Sequence, residues 1–216
     1  MSDGKRPYHQ TRRAELEEQT RLRITESAIE LHGTRGPART SISAVAARAG
    51  VRRSTVYRHF RDEAALFAAC SGHWMASNSP PDLAAWAMIK DPEQRLSSAL
   101  PEMYGYYRRT EPMLANLHRD EDLMPLVKQL FAGFHGYLSA ARDTLLHGRR
   151  SRGARRRRVQ AAIGHALAFP TWRSLSGEQG LGDREAAELM CRLVNVANQS
   201  AAENHQGRSN PRRDAS

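Results

Sequence analysis

Residues 40–61, TSISAVAARAGVRRSTVYRHFR, concentrate side chains that donate hydrogen bonds. Thr40 and Ser41 open the stretch, Arg52, Arg53, Ser54 and Thr55 stand together in its middle, and Tyr57, Arg58, His59 and Arg61 close it. Guanidinium and hydroxyl groups at this density suit partners rich in acceptors, namely phosphate oxygens and the edges of nucleic-acid bases. Other chemistries find no such concentration. Cys70 and Cys191 are isolated, which gives neither a disulfide framework nor zinc-ligand spacing, so two reduced, buried cysteines and no metal are expected. No Walker-type phosphate loop, His-Glu-x-x-His or Gly-x-Ser-x-Gly occurs. His118-Arg119-Asp120 copies part of a kinase catalytic loop, but the chain has no Gly-rich loop, Asp-Phe-Gly or suitably spaced Asn to go with it. Neither an enzyme nor a cofactor is expected.

The elements that must position these donors can be read from the apolar residues between them. Ile42, Val45, Ala46, Ala49, Val51 and Val56 are spaced as two short helices meeting at Gly50, the pattern of a helix-turn-helix. Thr40 is the expected cap of the first helix, and the second covers about Arg52 to His59. Such a unit places the start of its second helix at base edges in the major groove while the first crosses the backbone. A longer helix from about Glu17 to His32, with Ile24, Ala28 and Leu31 on one face, precedes it, and Asp62 caps a following helix that carries Leu66, Phe67 and Cys70. Residues 16–76 are thus a three-helix DNA-binding domain with its following helix. Residues 1–15 are expected as a basic flexible arm whose Lys5, Arg6, Arg12 and Arg13 either follow a duplex or form a solvated tail.

This segment resembles the N-terminal signature of the tetracycline-repressor (TetR) family of bacterial transcriptional regulators. The matching residues are Gly36, Thr40-Ser41-Ile42, Val45-Ala46, Ala49-Gly50-Val51 and Tyr57-Arg58-His59-Phe60, within about residues 20–70. The resemblance implies that His59 touches the DNA backbone, while Tyr57 is open between core packing and a hydroxyl directed at phosphate. Three positions depart from the family pattern. Arg52 replaces a capping Ser, Ser54 replaces a Gly, and Glu63 replaces a lysine whose phosphate contact would pass to Arg61.

Beyond Ser77–Asp82, where Pro80 and Pro81 break the pattern, periodicity predicts helices over about Asp91–Arg109, Glu111–His118, Pro125–His147 and Gly153–Ser174, and one capped by Asp183 that ends near Glu203. No sustained strand alternation occurs, so the fold is expected to be all-α. Its architecture is an N-terminal helix-turn-helix domain plus a C-terminal helical ligand-binding and dimerisation domain, residues 77–203, with a disordered tail at 204–216. Met103, Tyr107, Met113, Leu117 and Phe131 with Phe134, Leu138, Phe169 and Trp172 could line an apolar pocket, with His135 and His165 as orienting groups, or could be bundle core. The resemblance implies a homodimer through residues 155–174 and 183–203, where Val159, Ala162, Ile163, Ala166 and Phe169 on one helix and Leu189, Leu193, Val194 and Ala197 on the other make apolar stripes.

The 216 residues suffice for one ordinary domain plus a smaller one, and their net charge of +10 favours polyanionic partners. Residues 1–61 hold 13 basic and 6 acidic groups, so +7 of that surplus lies on the helix-turn-helix side. Only Lys5, Lys90 and Lys128 are lysines, so 30 of the 33 cations are arginines. Seven of them, Arg149, Arg150, Arg152 and Arg155 to Arg158, form a run expected as a solvated loop entering a helix. No apolar run is long enough for a membrane span and the basic N-terminus has no secretory pattern, so a cytoplasmic location is expected. The expectation is a ligand-responsive regulator, most simply a repressor released from a palindromic DNA operator by a small lipophilic effector. The rivals are a sequence-nonspecific architectural nucleic-acid binder and a small helical enzyme.

Overall fold

The computed structural model describes residues 5–199, and among them every regular element is helical. The helices are α1 (Lys5–Thr34), α2 (Ile42–Arg48), α3 (Arg53–His59), α4 (Glu63–Ser77), α5 (Leu83–Met88), α6 (Pro92–Asp120), α7 (Pro125–Leu146), α8 (Gly153–Leu167), α9 (Phe169–Trp172) and α10 (Asp183–Asn198). A single 3-10 turn, Pro37–Arg39, and a π-helical stretch, Arg173–Glu178, complete them. No helix among the described residues is long and apolar enough to cross a membrane. The expected tail at 204–216 and residues 1–4 of the expected arm lie outside the described residues.

Residues 5–15, expected as an arm, are instead the first turns of α1. Pro7 falls in the first turn, where a missing N–H costs nothing, and Ala14-Glu15-Leu16-Glu17-Glu18 are strong helix formers. Arg13 Nε also reaches Glu17 Oε1 one turn on, at 3.2 Å. Two predicted helices prove to be one, because α6 runs unbroken through Pro112. The proline removes one N–H without ending the helix, and Thr110, Met113 and Leu114 around it are buried. The opposite occurs at Pro170, where a helix expected to reach Ser174 stops at Leu167. Ala168 turns to an extended conformation there, and Pro170 opens the short α9. Asp183 does not cap α10; Gly182 holds that position, and Asp183 lies in the first turn.

The chain forms two compact units. The first joins the residues up to Ser79 with Thr110–Gly133, and the second joins Pro80–Arg109 with the residues from Phe134 on. In the first, Ile24, Ala28 and Leu31 of α1 are buried along with Val45, Ala46, Val56, Phe60 and Leu66 of α2 to α4. In the second, α8 packs on α10 through Val159, Ile163 and Ala166 against Ala186, Met190 and Val194. Tyr107 is the hub of its aromatic core, edge-on to Phe169 at 5.3 Å and tilted on Trp172 at 5.8 Å.

Candidate nucleic-acid interface

The turn between α2 and α3 is built by backbone chemistry that only a flexible residue permits. Gly50 has φ 65°, Gly50 N donates to Ala47 O at 3.2 Å, and Val51 N donates to Ala46 O at 2.9 Å. This paired closure of a helix end satisfies carbonyls that would otherwise be orphaned and redirects the chain into α3. Ala49 and Val56 are buried on either side of the turn, which fixes how α3 is rolled against α2. That roll decides which side chains of α3 face outward.

Those side chains are the predicted donors. Arg52, Arg53, Ser54, Tyr57 and Arg58 are exposed, and Thr55 is half-buried. Tyr57 is 38% exposed, so the open alternative resolves away from the core. Arg53 packs over its ring at 5.5 Å and donates to its hydroxyl at 3.3 Å. Arg52 holds the cap position of α3 without a side-chain hydrogen bond, so the helix start offers unsatisfied N–H groups alongside the guanidinium. His59 is half-buried, and burial, then the neighbouring Arg58, lower its pKa. Arg61 is 87% exposed and meets Asp62 at 3.1 Å.

At the start of α2 the cap is Ser41, whose hydroxyl accepts from Ala44 N at 3.2 Å, and not Thr40. Thr40 sits one residue too early; its hydroxyl donates back to Gly36 O at 2.8 Å and closes the preceding turn. Asp62 caps α4 as expected, accepting from Ala65 N at 2.7 Å. Glu63, in place of a cation, lies in the first turn of α4, where a carboxylate complements the helix dipole.

Several residues that position this surface carry no local signal. Arg21 on α1 donates to His59 O at 2.9 Å and stacks over Phe60 at 4.4 Å, so a cation covers the C-terminus of α3. Arg48 on α2 forms a two-pronged pair with Glu30 on α1, its Nε donating at 2.9 Å. Most telling is the end of α6. Asp120 is fully buried and accepts from Ala38 N at 3.0 Å, and Arg119 donates to that carboxylate and to Arg35 O, both at 2.8 Å. Asn116 donates to His32 O at 3.0 Å and to Gly33 O at 2.8 Å. Gly36, at φ 92°, lies against this clasp, and a Cβ there would strike both Arg119 and Asp120. His118-Arg119-Asp120, the kinase-like tripeptide, is therefore part of the joint that holds the turn leading into α2.

The residues considered for a pocket fall in both units. Met113, Leu117 and Phe131 belong to the first and are buried, with His118 edge-on to Phe131 at 4.8 Å. Met103, Tyr107, Phe169 and Trp172 are core of the second; Tyr107 donates to Leu167 O at 2.5 Å, and Tyr104 donates to Ala166 O at 2.9 Å. Phe134 and Leu138 are half-buried, while His135 and His165 are exposed. The arginine run is also divided. Arg149 is buried, contrary to a solvated loop, and donates to Glu93 at 2.6 Å, whereas Arg150, Arg152, Arg156, Arg157 and Arg158 are exposed.

Comparison with known proteins follows this geometry. Residues 24–70 match the family model described as bacterial regulatory proteins, tetR family. No curated protein sequence matches the chain. Among solved structures, a TetR-like transcriptional regulator from Rhodococcus sp. RHA1 is similar with TM-score 0.59 at 20% identity, over 83% of this chain and 97% of that one. NalD of Pseudomonas aeruginosa, the secondary repressor of the MexAB-OprM multidrug efflux pump, gives 0.56 at 20% identity, over 85% and 97%. The regulator FadR from Bacillus subtilis, in complex with stearoyl-CoA, gives 0.53 at 15% identity, over 82% and 96%.

Proposed function

From a chain that belongs, by its residues 24–70, to the tetR family of bacterial regulatory proteins, we propose a homodimeric transcriptional repressor that reads a palindromic operator and leaves it when a small lipophilic effector binds. The observation that carries this reading is α3, rolled by buried Val56 so that Arg52, Arg53 and Ser54 face outward. Arg53, Ser54 and Thr55 meet base edges. Thr40, Ser41, Tyr57, Arg58, His59 and Arg61 bind and orient the phosphate backbone.

A palindrome requires two copies, and α10 supports the contact. Its Leu189, Leu193 and Val196 recur one turn apart and are 43%, 41% and 62% exposed, although the opposite face of the helix is buried on α8. An isologous pairing of this face covers them. Release requires only that the effector prefer a conformation that spaces the two recognition helices wrongly; a coupling of about 1–3 kcal/mol lowers operator affinity roughly five- to 150-fold.

Footprinting of the DNA flanking the protein's own gene, repeated with lipophilic compounds, tests binding and release together. Arg53→Ala and Thr55→Ala are expected to cost about 1–3 kcal/mol each at the operator and to relax base preference. Wild-type footprints from both variants would remove α3 from the major groove.

A further inference from the structure

Between α4 and the start of α7, both in the first unit, lies an open groove of about 560 Å³. This is within the range of small-molecule sites. Its α4 side includes the small Ala64, Ala65, Ala68 and Gly72 beside Phe67, Ser71 and Met75, and Leu126, Gln129 and Leu130 of α7 line the other side. A side chain at Gly72 would enter open space, since a Cβ there meets nothing within 4 Å. Arg61 also lines the groove. Its Nε is engaged by Asp62 at 3.1 Å, which leaves the two terminal nitrogens of the guanidinium fork for another acceptor. The floor selects an apolar body and the fork selects a planar anion.

We propose that this groove binds an amphipathic organic carboxylate, with its apolar chain along Ala64, Ala68 and Leu130 and its headgroup on Arg61. Because Arg61 directly follows the recognition helix and is assigned above to a DNA phosphate, the bound carboxylate withdraws that cation from the duplex. The ligand thus opposes DNA binding by competing for one side chain. The link to DNA rests on the repressor reading; the groove itself does not.

Sodium decanoate, kept below its micellar concentration, and neutral 1-decanol serve as probes in titration calorimetry of the full chain. Decanoate is expected to bind wild type, and Ala68→Trp and Gly72→Phe, which fill the groove, to weaken it at least tenfold while thermal melting stays cooperative. Arg61→Gln is expected to weaken decanoate about tenfold and to change decanol less than twofold. The site is refuted if wild type binds no decanoate, if the folded groove-filling variants bind it as wild type does, or if Arg61→Gln leaves its affinity unchanged. Fluorescence anisotropy on the gene-flanking duplex then separates the two readings. Release by decanoate from wild type but not from Ala68→Trp supports the competition. Binding in the groove with unaltered DNA affinity overturns the competition, and equal release of both proteins by other lipophilic compounds leaves the repressor reading intact while removing this groove as its sensor.

Discussion

His32 shows how a single residue makes the first unit sensitive to acid. It is 9% exposed, its Nδ1 lies 3.6 Å from Cys70 Sγ, and its ring is tilted on Phe67 at 5.8 Å. Burial lowers its pKa to about 4, against the opposing pull of Asp120. The folded state therefore keeps this imidazole neutral while the unfolded chain takes up a proton below about 6.5. Stability is unaffected above that value, falls as pH drops toward 4, and levels off below it, with a loss on the order of 3 kcal/mol from this group. Urea unfolding at pH 7, 5.5 and 4 should show this decline in wild type and a flatter one in His32→Gln; parallel declines would exclude His32 as the source. Burial also raises the Cys70 thiol to about 11, so it stays protonated and inert beside His32.

Helix ends account for much of what the elements require. The C-terminus of α7 points its last carbonyls at two buried arginines. Arg95 donates to Thr144 O at 2.9 Å and His147 O at 2.8 Å, and Arg149 donates to Leu145 O at 3.1 Å and Pro92 O at 3.0 Å. Cations there satisfy orphan acceptors and complement the helix dipole. Arg149→Ala leaves Leu145 O and Pro92 O without their donor, and should lower unfolding free energy by about 1–3 kcal/mol, with Arg149→Lys recovering part of it; an unchanged urea midpoint would refute this. None of it was legible in the sequence, where Arg149 looks like the other six arginines of its run, because its partner Glu93 is distant along the chain. The α2–α3 turn was legible because its whole code is local: Gly50 for the left-handed residue, Ala46, Ala49 and Val56 for the contact. Proline could not be read the same way twice. Pro112 sits inside an unbroken helix and Pro170 opens a new one, although the residues flanking both are buried. The clasp of Asn116, Arg119 and Asp120 escaped because its acceptors and donors lie far along the chain, on residues 32–38.

For the whole molecule, the +7 carried by residues 1–61 predicts how binding responds to salt. Each phosphate neutralised contributes a slope of roughly −0.9 to log affinity against log salt concentration. Arg58→Ala should flatten that slope by about one per protomer on any duplex, operator or not, measured by anisotropy between about 50 and 200 mM salt. A loss confined to the operator would instead make Arg58 a reader of bases. The cations of this surface have a further consequence. Arg52, Arg53, Arg58 and Arg61 are guanidinium groups, and no lysine lies among residues 40–61. A guanidinium holds its proton at every physiological pH and is not a substrate for the acetylation that neutralises lysines. His59, the one titratable base among them, is already shifted toward its neutral form. The charge of this surface is therefore permanent, set by where the arginines stand and by what occupies them and not by pH or lysine acetylation.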